Sequence, residues 1–490
     1  MGLPIHRFLF VAASLLLASC GGPDKGKTEV TVIGDQQPTL VDPAAGPLTE
    51  PQAVLLANAA QGLVRFDASG QIVPGLAERW NVSDDGLSYI FRLQSGTWPD
   101  GRKIDAHQVT KLLKRQIASR STNPLKDAFG AVDEIVAMTD RVIEISLKAP
   151  RPNLLPLLAQ PEMAIVYQRQ GSGPFQILRG SKPPAVDLER TVSNLDEDVS
   201  RKEEVLLAAA PAGAAVRSFI AGKSDLILGG TFADLAYARV DRLPRNALRF
   251  DPASGLFGLA PVSAQGPLAD AEVRALLARA IDRDTMIAAL NVPGLLARAT
   301  VLEPGLDGVS DPTPPDWFAV PIAQRRPQLV ADAHRIFGGI EIPTIRIALP
   351  DGPGSKVILG RLAADWGALG IKVEAAAPGQ PADLKLIDAV APSNSPAWFL
   401  RQFRCAQTPV CDPKIDELLE GARNTPVPAQ RYALLSEAAQ QIDEQQLFIP
   451  LAAPIRWSLV SAQMQGFATN RFARHTLTDL GQRPDRNRGE

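Results

Sequence analysis

Beyond the first twenty residues the chain has three histidines, His107, His334 and His475, and none has a ligand-spaced neighbour. No H-E-x-x-H is present to hold a hydrolytic metal, and no G-x-S-x-G to lift a nucleophilic serine out of a strand–helix turn. Gly171-Ser-Gly-Pro174 reads as a turn, and His107 as a solvated residue in the first turn of a helix. Carboxylates are plentiful, but sequence alone cannot pair them, which leaves a two-carboxylate hydrolase open. Gly21-Gly-Pro-Asp-Lys-Gly-Lys-Thr28 matches G-x-x-x-x-G-K-[ST] letter for letter. That loop needs a buried strand before it and a helix after it, so that N–H groups converge on phosphate. Here an apolar leader precedes it, and the alternating run Glu29-Val-Thr-Val-Ile33 follows as a strand. No catalytic residue, metal or cofactor is expected.

Cys405 and Cys411 form a close pair. In an oxidising compartment a disulfide is the simplest reading, worth roughly 2–2.5 kcal/mol in the chain-entropy model. The alternative, a metal site, has no histidine nearby to complete it.

The remaining cysteine directs attention to the start of the chain. His6 and Arg7 precede Phe8–Leu17, an apolar run of ten residues broken only by Ser14. A helix crossing the ~30 Å hydrocarbon core needs ~20 apolar residues, so this run has the length of a signal-peptide core. It ends in Leu17-Ala-Ser-Cys20, which resembles the bacterial lipobox. The resemblance implies cleavage before Cys20, lipidation of its thiol and amine, and a durable membrane anchor. Residues 1–19 are thus expected to be a leader, and 20–28 the anchor and a flexible tether. In enterobacteria an Asp after the lipidated cysteine retains such proteins in the inner membrane. Gly21 stands there instead, which leaves inner and outer membrane both open.

The chain of 490 residues is longer than one hydrophobic core usually serves, so two lobes are expected. Its formal charge of −2 supplies no basic excess for nucleic acid. The residue pattern alternates strands and helices. Leu87, Tyr89, Phe91 and Leu93 alternate after the turn Ser83-Asp-Asp-Gly86, predicting a hairpin. Asp105 is placed to cap a helix with Gln108 as its capping-box partner, and Val109, Leu112, Leu113 and Ile117 form the buried stripe. Asp270 caps a second helix, expected to continue towards Met286 and Leu290. Strands are predicted at 345–349, 371–374 and 384–387, and helices at 357–369 and around Tyr432–Ile442. The fold class is α/β with mixed sheets.

Several segments, in order, resemble the bacterial extracellular solute-binding proteins of family 5, which serve importers of peptides, nickel complexes and some sugars. They include Gln61-Gly-Leu-Val-Arg-Phe66 and its continuation to Leu93, Trp98-Pro-Asp-Gly101 with the helix after Asp105, and Gly171-Ser-Gly-Pro-Phe175. Ala221-Gly-Lys-Ser-Asp225 and Val273-Arg-Ala-Leu-Leu-Ala-Arg-Ala-Ile-Asp-Arg283 complete the set. The resemblance implies a two-lobed periplasmic-binding-protein-like fold with a hinged interlobe cleft. Lobe one would be 29–255 with 447–480 returning to it, lobe two 256–446, and 481–490 a flexible tail. The crossings would lie near 251–255 and 448–450.

It also implies which segments face the cleft. Val41-Asp-Pro-Ala-Ala-Gly-Pro-Leu48 matches the family's "Leu-Asp-Pro" run, making Ala45, Gly46 and Leu48 candidates for ligand contact. Peptide-binding relatives carry "Asp-Tyr-x-Asp-Pro" in a second segment, the first Asp pairing with the peptide ammonium. This chain reads Pro392-Ser393-Asn394-Ser395-Pro396, with both carboxylates missing. Ser393, Asn394 and Ser395 are candidates for neutral hydrogen bonding. Asp388 is the candidate replacement charge, and Trp398 and Trp98 are candidate walls. The expected function is capture of a peptide or peptide-like solute by a monomeric periplasmic lipoprotein for an ABC permease. A transporter-independent envelope sensor is the alternative, and an enzyme on this fold a more distant one.

Overall fold

The computed structural model describes residues 27–482, apart from 179, 182–183, 195–198, 339–343 and 378. The leader, Cys20 and most of the expected tail lie outside the described residues. Lys27–Ile33 is the strand that the alternation of 29–33 predicts. It lies inside a seven-stranded sheet, parallel to Val199–Ala210 on one side and Leu226–Thr231 on the other. Val30 and Val32 are accordingly buried. Lys27 and Thr28 belong to this strand, so no helix leaves the phosphate-loop letters. The alanine-rich run after Val205 divides at Pro211, whose ring cannot continue the ladder, into the strand ending at Ala210 and the helix Ala212–Ile220.

A four-stranded antiparallel sheet orders Ala77–Val82, Ser88–Leu93, Val142–Leu147 and Val132–Thr139. The predicted hairpin turn joins the first two, with Gly86 at φ +68°. The helix Ala106–Ile117 lies on this sheet, and the Asp105 carboxylate accepts the Gln108 N–H at 2.9 Å. Only half of the predicted capping box forms. The Gln108 side chain instead accepts the Trp98 indole N–H at 3.0 Å. A buried indole N–H needs a partner more than an exposed helix start does.

A five-stranded mixed sheet orders Lys372–Ala375, Thr344–Ala348, Leu384–Val390, Gly255–Pro261 and Ile449–Ala452. Asp270 caps Ala271–Ala280, but the helix does not run on to Leu290. Ile281 is extended, and Asp282 caps a second helix, Arg283–Leu290, by accepting the Thr285 N–H. The helix predicted at 357–369 is Pro353–Gly367, starting earlier than expected and ending short of Gly370, where φ is +82°.

Among the described residues the chain passes twice between the seven-stranded and five-stranded sheets. Leu248–Phe250 belongs to the seven-stranded sheet and Gly255–Pro261 to the five-stranded one. On the return, Ile449–Ala452 is still in the five-stranded sheet and Arg456–Val460 is in the other, so this change falls at 453–455, later than expected. Charged pairs gather at these changes. Asp251 meets His475 Nε2 at 3.1 Å, and Arg456 Nη1 donates to Asp388 at 2.8 Å between the two sheets. Buried Glu303 accepts from the Ser254 hydroxyl and pairs with Arg298.

One carboxylate of the second lobe stands apart from this pattern. Asp443, on the helix Pro428–Glu444, accepts the Val301 N–H at 2.8 Å and has no cation paired with it among the described residues. Burial pushes its pKa up to about 7, against the smaller opposing effect of that hydrogen bond. A pKa raised in the folded state means stability is lost as pH rises from about 4 towards 7. At about 1.36 kcal/mol per unit the ceiling is about 4 kcal/mol. Asp443 is only half-buried, at the wall of a groove with Arg279 and Glu444, so solvent trims the effect to about 1–2 kcal/mol. Asp443→Asn should therefore raise the melting temperature at pH 8 and change it little at pH 4.5. Equal shifts at both pH values would show that ionisation is not the cause.

Candidate functional site

A cavity of about 440 Å³ opens between the four-stranded layer of lobe one and the helices of lobe two. Lobe one contributes the loop after Ile117, the short helix Lys126–Phe129 and the segment from Arg151 to Leu157. Lobe two contributes the helix Pro396–Arg401, with the loop before it, and faces of Pro413–Asn424 and Pro428–Glu444. The volume falls in the range of small-ligand sites, and both lobes wall it.

Of the residues singled out from sequence, Ser393, Ser395 and Trp398 line this cavity. Asn394 lies between them with its Oδ1 buried and without a partner among the described residues. Trp398 sits edge-on to Phe399, which anchors the helix in the core. Ala45, Gly46 and Leu48 do not line it. Their segment is a short helix, Pro43–Ala45, capped by Asp42. Its Ala44 carbonyl accepts the Thr122 N–H at 3.1 Å, holding in place the loop that leads to Lys126. Leu48 packs towards Leu56, Ala60 and Val166. Trp98 is 1% exposed in the core of the four-stranded layer, against Tyr167. Asp388 is tied to Arg456 at 2.8 Å, and Arg456 Nη2 also reaches its main-chain oxygen at 3.2 Å. Burial pushes the Asp388 pKa up more than Arg456 pulls it down. That carboxylate is therefore committed to the hinge and is not a free counter-charge for an ammonium. Cys405 and Cys411 are joined by a disulfide, Cα atoms 5.1 Å apart, just beyond the helix that carries Trp398.

Sequence reasoning missed the cavity's charge. Lys126, Arg151, Arg401, Arg404, Arg423 and Arg431 line it, against two carboxylates, Asp127 and Glu420. Burial, then the neighbouring Arg431 and Arg401, lowers the Arg151 pKa to about 10. Arg401 is likewise lowered to about 10, first by burial, with Asp127 opposing and Arg404 and Arg423 adding. Arg401 lies three residues after Trp398 and so on the same helical face. Arg151 and Arg431 carried no sequence signal.

The lobes touch across this boundary. The buried Gln160 side chain donates to the Pro392 carbonyl at 2.9 Å and accepts from Arg474 at 3.3 Å. Two sheets joined by two short crossings, with a cavity walled by both bodies, define a hinged two-lobed binding protein of the periplasmic type. The chain belongs to the family described as bacterial extracellular solute-binding proteins, family 5, whose middle region it matches over residues 71–389.

Among curated relatives, a probable di/tripeptide-binding protein 5 of Pseudomonas aeruginosa is 26% identical over 481 residues, 85% of this chain and 88% of that one. Among solved structures, the murein tripeptide-binding protein of Escherichia coli superposes with a TM-score of 0.78 at 19% identity, covering 93% of this chain and 98% of its own. An oligopeptide-binding protein of Haemophilus influenzae, complexed with the peptide RPPGFSPFR, gives 0.77 at 16% identity, covering 93% and 99%. These likenesses place the fold. Family membership makes the chain an extracytoplasmic solute-binding protein of ABC import, not an enzyme.

Proposed function

We propose that this chain is a lipoprotein held to the envelope through Cys20, which captures a peptide or peptide-like solute between its lobes and presents it to an ABC permease as a monomer. The observation that carries this reading is the 440 Å³ cavity walled by both lobes, with Ser393, Ser395 and Trp398 from the segment equivalent to the peptide-binding run of relatives. Solute touching both walls favours the closed arrangement, which is the state a permease can distinguish from the open one. The di/tripeptide-binding relative supports a short ligand.

The test is a thermal shift with mixed di- to pentapeptides. A ligand at 100 times its Kd stabilises by ~2.7 kcal/mol, which is read as a rise in Tm. A flat response to every peptide would remove ordinary peptides as ligands. The anchor is checked separately, since Cys20→Ala should abolish labelling by radioactive palmitate. Persistent labelling would place the lipid elsewhere.

A further inference from the structure

We infer that the captured solute carries an anionic oxygen group, a carboxylate or a phosphate, seated on Arg151, Arg401 and Arg431. This rests on the solute-binding reading and names the chemistry of its ligand.

The three guanidiniums come from both lobes and line one cavity. Each donates to main-chain carbonyls of the opposite lobe: Arg151 Nη2 to Arg423 at 2.7 Å, Arg401 Nη1 to Asp127 at 2.9 Å, and Arg431 Nη1 to Pro150 at 2.7 Å. Among the described residues none of the three forms a salt bridge, although Arg431 is only 6% exposed. A carbonyl satisfies an N–H but leaves the charge uncompensated, and such a charge out of water needs an anion.

The two carboxylates of the cavity do not supply it. Glu420 already accepts from Arg423 and, at 2.8 Å, from Asn424. Asp127 is exposed and eases the Arg401 charge only in part, contacting it through its main-chain oxygen and forming no salt bridge with it. The segment 392–396 contains no carboxylate, and Asp388 is neutralised by Arg456. A cationic amino terminus entering here would thus meet like charge. An anion would meet three guanidiniums, each already holding two protein acceptors, whose remaining N–H groups and charge suit carboxylate or phosphate oxygens.

The placement also couples the anion to closure. Because the cluster draws on both lobes, closing the cleft brings like charges together, and a bound anion turns that repulsion into attraction. Closure is then biased by a ligand that interacts differently with the two states.

The experiment uses the full chain in detergent and reads Tm against four probes. These are N-acetylated di- and tripeptides with free carboxylates, the same peptides amidated at the C-terminus, amidated peptides with free amino termini, and inorganic pyrophosphate. The expected result is a rise of several degrees with the N-acetylated acids or with pyrophosphate, the arm that responds identifying the source of the anion. Amidation should abolish the response, and Arg401→Gln should weaken the responding anion at least tenfold. The amidation comparison needs no variant and stands even if Arg401→Gln folds poorly. If amidated peptides stabilise as well as acids, or Arg401→Gln keeps full affinity, the inference falls while solute capture stands. A flat response in all four arms also overturns it, and the peptide reading falls with it only if free peptides are silent too.

Discussion

Replacing Asp388 with alanine should lower the stability of the protein by about 3–5 kcal/mol, the cost of removing one member of a buried ion pair. Asp388 lies on Leu384–Val390 of the five-stranded sheet, and Arg456 opens the strand Arg456–Val460 of the seven-stranded one. Their side chains are 14% and 17% exposed. Truncation leaves the Arg456 guanidinium between two sheets with main-chain carbonyls but no counter-charge. Asp388→Asn keeps an acceptor for Nη1 and should cost less. The double change Asp388→Leu with Arg456→Met removes both charges and should recover most of the loss. Calorimetry on the four proteins reads all of this. A cost under about 1 kcal/mol for the alanine variant, or a double variant as unstable as the single, would show that this pair does not hold the two sheets together.

That pair marks the boundary of what the sequence made legible. Periodicity located most elements because burial acts locally: the strand at 29–33, the helix after Asp105 and the hairpin at 83–86 each depend on residues within one or two turns. Helix ends were harder, since Asp270 and Asp282 each start a helix where the sequence pattern runs on as one. Arg283 is buried, with Nε donating to the Pro450 carbonyl at 2.9 Å. The capping box after Asp105 failed because Trp98 took the glutamine. Ser393, Ser395 and Trp398 were legible because they sit on one short segment. The arginine cluster was not, because its contacts join residues as far apart as Pro150 and Arg431, 281 positions, which only the tertiary fold brings together. Charge read as a whole-chain sum of −2 hid a local excess of cations in the cleft.

Arg274→Met is the second change expected to have a large effect, about 3–5 kcal/mol, although it touches neither the cavity nor an ion pair. Arg274 is 3% exposed on the helix Ala271–Ala280. Its Nε donates to the carbonyls of Gln445 and Gln446 at 3.0 and 3.1 Å, Nη2 to Gln445 at 2.7 Å, and Nη1 to Leu268 and Ala269 at 2.8 and 2.9 Å. Gln445 and Gln446 end the helix Pro428–Glu444, and Gln446 has a φ of +47°, so their carbonyls have left the helical ladder and need an outside donor. A planar fork reaches both chain segments at once. Lysine keeps the charge but not the fork, so Arg274→Lys should lose about half as much. The same carbonyls stand at the start of the return towards the second crossing. The methionine variant should therefore loosen closure as well, weakening whichever ligand the thermal-shift panel identifies. Chemical denaturation and a binding isotherm on each variant test this together. A methionine variant within about 1 kcal/mol of the parent, or a lysine variant equal to it, would mean that water satisfies those carbonyls and the arginine does not hold the hinge.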